Sequence, residues 1–126
     1  MKVKICGVTT IDDAWMAATA GADLLGLNFY KQSPRYITPD AARALVEALR
    51  SEMGEACPTM VGVFVNATVG DITLTIGHVG LDFAQLSGDE TIDMLAELRG
   101  VGFKAIRPPN PQLARMDADY FKDHIP

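Results

Sequence analysis

The sequence predicts a single α/β domain, residues 1–126, built on a parallel sheet. Short β-type runs alternate with longer helical ones, each helical run carries an apolar stripe, and no linker or low-complexity segment interrupts the series. The first strand is expected over Lys2–Cys6. Thr10 then caps a helix with Asp12 and Asp13 in its first turn, where the dipole favours acids. Its stripe of Ile11, Ala14, Trp15 and Ala18 assigns Trp15 to the core, and Gly21 ends it. A second strand, Asp23–Phe29, precedes a helix with Thr38 as cap, Pro39 at the first helical position and Ala42, Leu45, Val46 and Leu49 buried. A polar loop, Ser51–Pro58, leads to a third strand, Met60–Asn66.

The next segment fits two periods: Val69, Ile72, Ile76 and Val79 are spaced as in a helix, while Ile72, Leu74 and Ile76 alternate as in a strand. The helix is preferred because the flanking runs at Val61 and Leu81 need a crossover to lie parallel. A fourth strand, Leu81–Gln85, and a helix, Asp89–Arg99, burying Ile92, Leu95 and Ala96 and stopping at Gly100, follow. The last unit is a strand over Phe103–Arg107 and a helix from Pro111 that buries Leu113, Met116 and Tyr120.

Composition narrows the class further. With 48% hydrophobic and 21% charged residues, the chain can bury a real core, yet no apolar run approaches the ~18 residues of a membrane span. Met1 leads straight into the first strand, so no signal peptide is expected, and a reducing cytoplasm is the default compartment. Two cysteines make no disulfide framework, and no Cys/His group has metal spacing. A net charge of −5 argues against nucleic acid as a partner.

Five βα units in series imply an open doubly wound sheet or a barrel. The first strand runs into Cys6-Gly7-Val8-Thr9-Thr10, with neither G-x-G-x-x-G nor a phosphate-binding P-loop sequence. That favours a barrel over an open sheet.

The strand ends carry a resemblance. Lys4-Ile5-Cys6-Gly7-Val8-Thr9, Gly21-Ala22-Asp23 through Gly26 and Phe29 to Ser33-Pro34-Arg35-Tyr36-Ile37, and Val61-Gly62-Val63-Phe64-Val65-Asn66 resemble successive segments of the phosphoribosylanthranilate isomerases. So do Leu81-Asp82-Phe83-Ala84-Gln85-Leu86-Ser87-Gly88-Asp89-Glu90 and Lys104-Ala105-Ile106-Arg107. The resemblance implies a parallel (β/α)8 barrel of the TIM type, incomplete with about five units present, and an Amadori rearrangement of N-(5′-phosphoribosyl)anthranilate in tryptophan biosynthesis, on a small phosphorylated-sugar substrate and with no cofactor or metal. It implies a first-strand cysteine as general base, an aspartate after the sixth strand as general acid, and phosphate loops after the seventh and eighth. The chain closes at Pro126 before a sixth strand, so the acid and the phosphate loops are expected outside these 126 residues. Alone they are then expected to be inactive and to associate, with another copy or with a complementary C-terminal fragment. Ser87 stands where the family usually has His.

Cys6 ends the first strand, and Lys4 shares its face at roughly 6.6 Å along the strand. An ammonium there favours the thiolate a base needs. By spacing alone Cys6 reads more readily as a small buried hydrophobe, the commoner fate of a lone cysteine; the resemblance implies that it is the base. Arg35 reads as a solvated loop arginine or, by resemblance, as the group facing the anthranilate end of the substrate, where a guanidinium grips a carboxylate in bidentate fashion. Gln85 and Arg107, near strand ends, are the remaining substrate-contact candidates, Arg107 reading equally as an arginine leaving for solvent. Asn28 and Asn66 suit loop backbone, Cys57 is a loop bystander, and His78 is a helix-end residue. A related isomerase of histidine synthesis is the rival barrel; such enzymes work with paired carboxylates, which Cys6 does not match.

Overall fold

A computed structural model describes residues 2–105. Five strands form one parallel sheet in chain order, β1 (Lys4–Cys6), β2 (Leu24–Asn28), β3 (Thr59–Phe64), β4 (Phe83–Leu86) and β5 (Gly102–Lys104). Four helices cross between them, α1 (Ile11–Thr19), α2 (Pro39–Met53), α3 (Val69–Val79) and α4 (Ile92–Glu97). The expected strand and helix order holds through β5; Arg107 and the helix from Pro111 lie outside the described residues. None of the helices among the described residues is long and apolar enough to cross a membrane.

Each of these helices is capped by threonine. The hydroxyls of Thr10, Thr38, Thr68 and Thr91 accept the backbone N–H of Asp13, Ala41, Asp71 and Met94 at 3.1, 3.2, 3.1 and 3.3 Å. α2 buries its expected stripe in full and runs on to Met53, followed by a 3₁₀ turn, where a polar loop from Ser51 was expected. The doubtful third crossover is helical, with Ile72 and Val79 buried and Leu74 exposed.

Two expectations need correction. The fourth helix begins at Ile92 rather than Asp89, because Asp89 and Glu90 are engaged elsewhere and Thr91 takes the cap. Ile92 is half-buried, Leu95 buried and Ala96 exposed. Trp15 is not core: it is 42% exposed, and only Ala14 of its helix is buried. α1 packs on α2 and β2, which leaves its Ile11–Trp15 side beyond the edge strand β1, where no described element covers it.

Register places the two faces of the sheet. Leu25, Leu27, Met60, Phe64, Ala84 and Leu86 pack against the helices as the main core. Residues on the other face follow the pairing Lys4↔Leu24, Cys6↔Gly26↔Val61↔Phe83 and Asn28↔Val63↔Gln85↔Phe103. At the amino ends of the strands, Asp23 and Asp82 accept the N–H of Val3 and Met60, each at 2.8 Å. These carboxylates tie β1 to β2 and β3 to β4 in the same way.

Candidate active site

The face of the sheet away from the helices gathers Lys4, Cys6 and Gln85, as the pleat predicts. Cys6 lies across β2 because its partner is Gly26: a Cβ on that glycine would fall 2.7 Å from Cys6 Sγ. Beyond Cys6 the chain turns at Gly7, with φ of +83°, a conformation that costs glycine least. The Gly7 and Val8 N–H groups both reach the Gly26 carbonyl, at 3.0 and 3.2 Å. The turn leaves room for the stem of Arg35, whose Cγ lies 3.1 Å from the position a Gly7 Cβ would take. Arg35 thus stands beside the Cys6-Gly7 corner although 29 residues separate it from Cys6 in sequence. Its loop is shaped by Ser33 Oγ, which accepts the Arg35 N–H at 3.1 Å.

Gln85 joins the two sides of this face. Its Oε1 accepts a hydrogen bond from the Lys4 ammonium, and its Nε2 donates to Ser87 Oγ at 3.1 Å. The Lys4 ammonium is therefore hydrogen-bonded to Gln85 on the face that carries Cys6. Cys6 is exposed and Gln85 is 8% exposed. Both asparagines do the loop work expected of them: Asn28 Oδ1 accepts the Tyr30 N–H at 2.9 Å, and Asn66 Oδ1 accepts the Asp89 N–H at 2.7 Å. Arg107, the fourth expected site residue, lies outside the described residues.

Two groups fall away from this face. Cys57 borders a cavity of about 640 Å³ at the opposite ends of the strands, with Arg50, Thr59 and Asp82. Burial pushes its thiol up, a push that Arg50 only partly offsets and Asp82 reinforces. His78 lies in the last turn of α3 and meets Asp40 at 2.7 Å, near the start of α2.

Glu90 and Lys104 were not singled out from the sequence. The Glu90 side chain is completely buried, and Lys104 Nζ donates to its Oε1 at 2.9 Å. Burial pushes the Glu90 carboxyl up. Hydrogen bonds from Lys104, the Asn66 N–H and its own N–H, with the Lys104 charge, outweigh that and hold it below the usual carboxylate value. The sequence signal was ambiguous, since an acid just before a helix also suits the helix dipole.

A family model for N-(5'-phosphoribosyl)anthranilate isomerase matches residues 3–123. The chain belongs to this family. The isomerase of Citrifermentans bemidjiense is 41% identical over 119 residues, covering 94% of this chain and 55% of that protein. The isomerase of Pseudomonas savastanoi pv. phaseolicola is 44% identical over 107 residues, covering 85% and 50%. Among solved structures, the phosphoribosyl anthranilate isomerase of Thermotoga maritima superposes with a TM-score of 0.84 at 34% identity, over 95% of this chain and 57% of that one. A phosphoribosyl anthranilate isomerase in complex with reduced 1-(o-carboxyphenylamino)-1-deoxyribulose 5-phosphate superposes equally well, with a TM-score of 0.84 at 34% identity over 95% and 60%. The five-stranded sheet is thus part of a TIM-type barrel, and the chain spans about half the length of the curated isomerases it matches.

Proposed function

We propose that this chain supplies the base-bearing and carboxylate-reading half of a phosphoribosylanthranilate isomerase of tryptophan biosynthesis, working in the cytoplasm without a cofactor. Cys6 acts as the general base that removes the C2′ proton of a phosphorylated-sugar substrate. Arg35 holds the anthranilate carboxylate, and Gln85 and Arg107 contact the substrate. The observation that carries this reading is the convergence of Arg35 on the Cys6-Gly7 corner, made possible by the two glycines there. A base and a cation held by neighbouring strand ends suit proton abstraction from an anionic substrate at the rim of a barrel. Relatives that carry the family name support the activity, and a solved relative bound to a carboxyphenylamino sugar phosphate supports the substrate class.

Ring opening and the phosphate grip fall to groups outside the described sheet, so the working site is assembled with a complementary C-terminal segment. The apolar residues bared along β1 and α1 support such an assembly, and also support self-association. The T. maritima relative is a dimeric isomerase from which monomers have been generated. In a barrel completed by that segment, Cys6→Ala should cut kcat by about 100-fold or more and change KM little, as loss of a general base does. Arg35→Ala should mainly raise KM, and by more for substrates that keep the carboxylate. Near-normal kcat in Cys6→Ala would remove the base from the proposal.

A further inference from the structure

A buried ion pair is poor evidence of stabilisation by itself, because desolvating both charges costs about what their attraction returns. The pair formed by Glu90 and Lys104 calls for another account of its arrangement. Every oxygen of the carboxylate is used. Glu90 Oε1 accepts the Gly88 N–H at 2.8 Å and Lys104 Nζ at 2.9 Å, while Oε2 accepts the Asn66 N–H at 2.7 Å. Lys104 also donates to the Gly88 carbonyl. Gly88 is therefore gripped at both its N–H and its C=O.

The grip spans three neighbouring strand ends. Asn66 follows β3, Gly88 follows β4 and Lys104 closes β5. Asn66 adopts a left-handed φ of 54° and sends its side chain to the Asp89 N–H at 2.7 Å. A side chain on Gly88 would collide with that same Asn66 amide, which explains the glycine. One residue before Gly88 stands Ser87, whose hydroxyl accepts from Gln85, and Gln85 holds the Lys4 ammonium on the face that carries Cys6.

We propose that Glu90 and Lys104 are positioning residues, a buried strut that fixes Ser87 and Gly88 and through them sets Gln85 against Lys4. This rests on Gln85 being a residue of the proposed site. The two ions touch neither Cys6 nor Arg35 and act only through the β4 loop. Lys104, opposite Leu86, lies on the helix-facing side of the sheet, away from the face that carries Cys6.

The test uses Glu90→Gln and the double variant Glu90→Gln/Lys104→Met in the 126-residue chain. The single variant strands a buried ammonium, so loss of fold alone would not be informative; the double variant removes both charges and leaves no unpaired ion. In the double variant the melting temperature should stay near the parent value. The side-chain NH₂ resonances of Gln85 should nevertheless move, and the Gly88 amide should exchange about tenfold faster, as expected when a charge-assisted bond is lost. Exchange read by mass spectrometry on the peptide containing Gly88 gives the same answer if the chain associates. Unchanged Gln85 resonances with unchanged Gly88 exchange in the double variant would overturn the proposal, leaving the pair as packing. Both signals are read without ligand, so failure of the isomerase reading would show separately, as absence of ligand binding with these shifts intact.

Discussion

The centre of the sheet and its β1 edge are built from the same kinds of residue and end in different environments. Leu25, Leu27, Met60 and Val61, in β2 and β3, are all 0% exposed. Val3 and Ile5 are 48% and 41% exposed, and Ile11, Trp15 and Met16 on the adjoining helix are 40%, 42% and 66%. The centre has a strand on either side and two helices, α2 and α3, packed on one another over it. The edge has a neighbour on one side among the described residues. Burial here follows from what adjoins an element rather than from how apolar it is.

Substitutions on either side should separate the two regions. Leu49→Ala, which empties a fully buried site under the sheet, should cost about 3 kcal/mol by denaturant unfolding. Trp15→Ala should cost under about 1 kcal/mol, since much of that ring is already in water, yet should weaken self-association in sedimentation. Equal destabilisation by both, with association unchanged, would break the comparison by showing that the edge is packed in solution.

A smaller effect is read by pH at the β5 side of the sheet. At the opposite edge, where Glu90 meets Lys104 of β5, the carboxyl is held below its ordinary pKa, so the stability it contributes is complete above the usual carboxylate value. It is lost as pH falls through the lowered folded value. Between about pH 6 and about pH 3, the wild-type chain should lose more stability than the Glu90→Gln/Lys104→Met variant. Parallel acid limbs would show that Glu90 is not a source of acid sensitivity.

Most of the architecture was legible because local signals agreed. At α2 the Thr38 cap, Pro39 and a four-residue stripe pointed the same way, and all four stripe residues are buried. At α4 they conflicted. Asp89 and Glu90 look like first-turn acids, but Asn66 takes the Asp89 N–H and Glu90 turns to Lys104, so the helix starts three residues later. Trp15 was misplaced for a different reason. Periodicity reports which side of a helix is apolar and not whether anything covers it. At the site, strand alternation put Lys4, Cys6 and Gln85 on one face. The approach of Arg35 to Gly7 and the Glu90–Lys104 strut depend on contacts between residues far apart in sequence, which no local pattern encodes.

The central claim, that Cys6 and Arg35 face one substrate, is tested most directly by protection of Cys6 from alkylation. Iodoacetamide labelling of Cys6 and Cys57 would be followed by mass spectrometry with and without reduced 1-(o-carboxyphenylamino)-1-deoxyribulose 5-phosphate. Concentrations up to about 10 mM would occupy even a half-site of millimolar affinity. The analogue should slow labelling at Cys6 several-fold, leave the distant Cys57 unaffected, and lose this protection in Arg35→Ala. Labelling of Cys6 at an unchanged rate, or protection that survives Arg35→Ala, would contradict the claim.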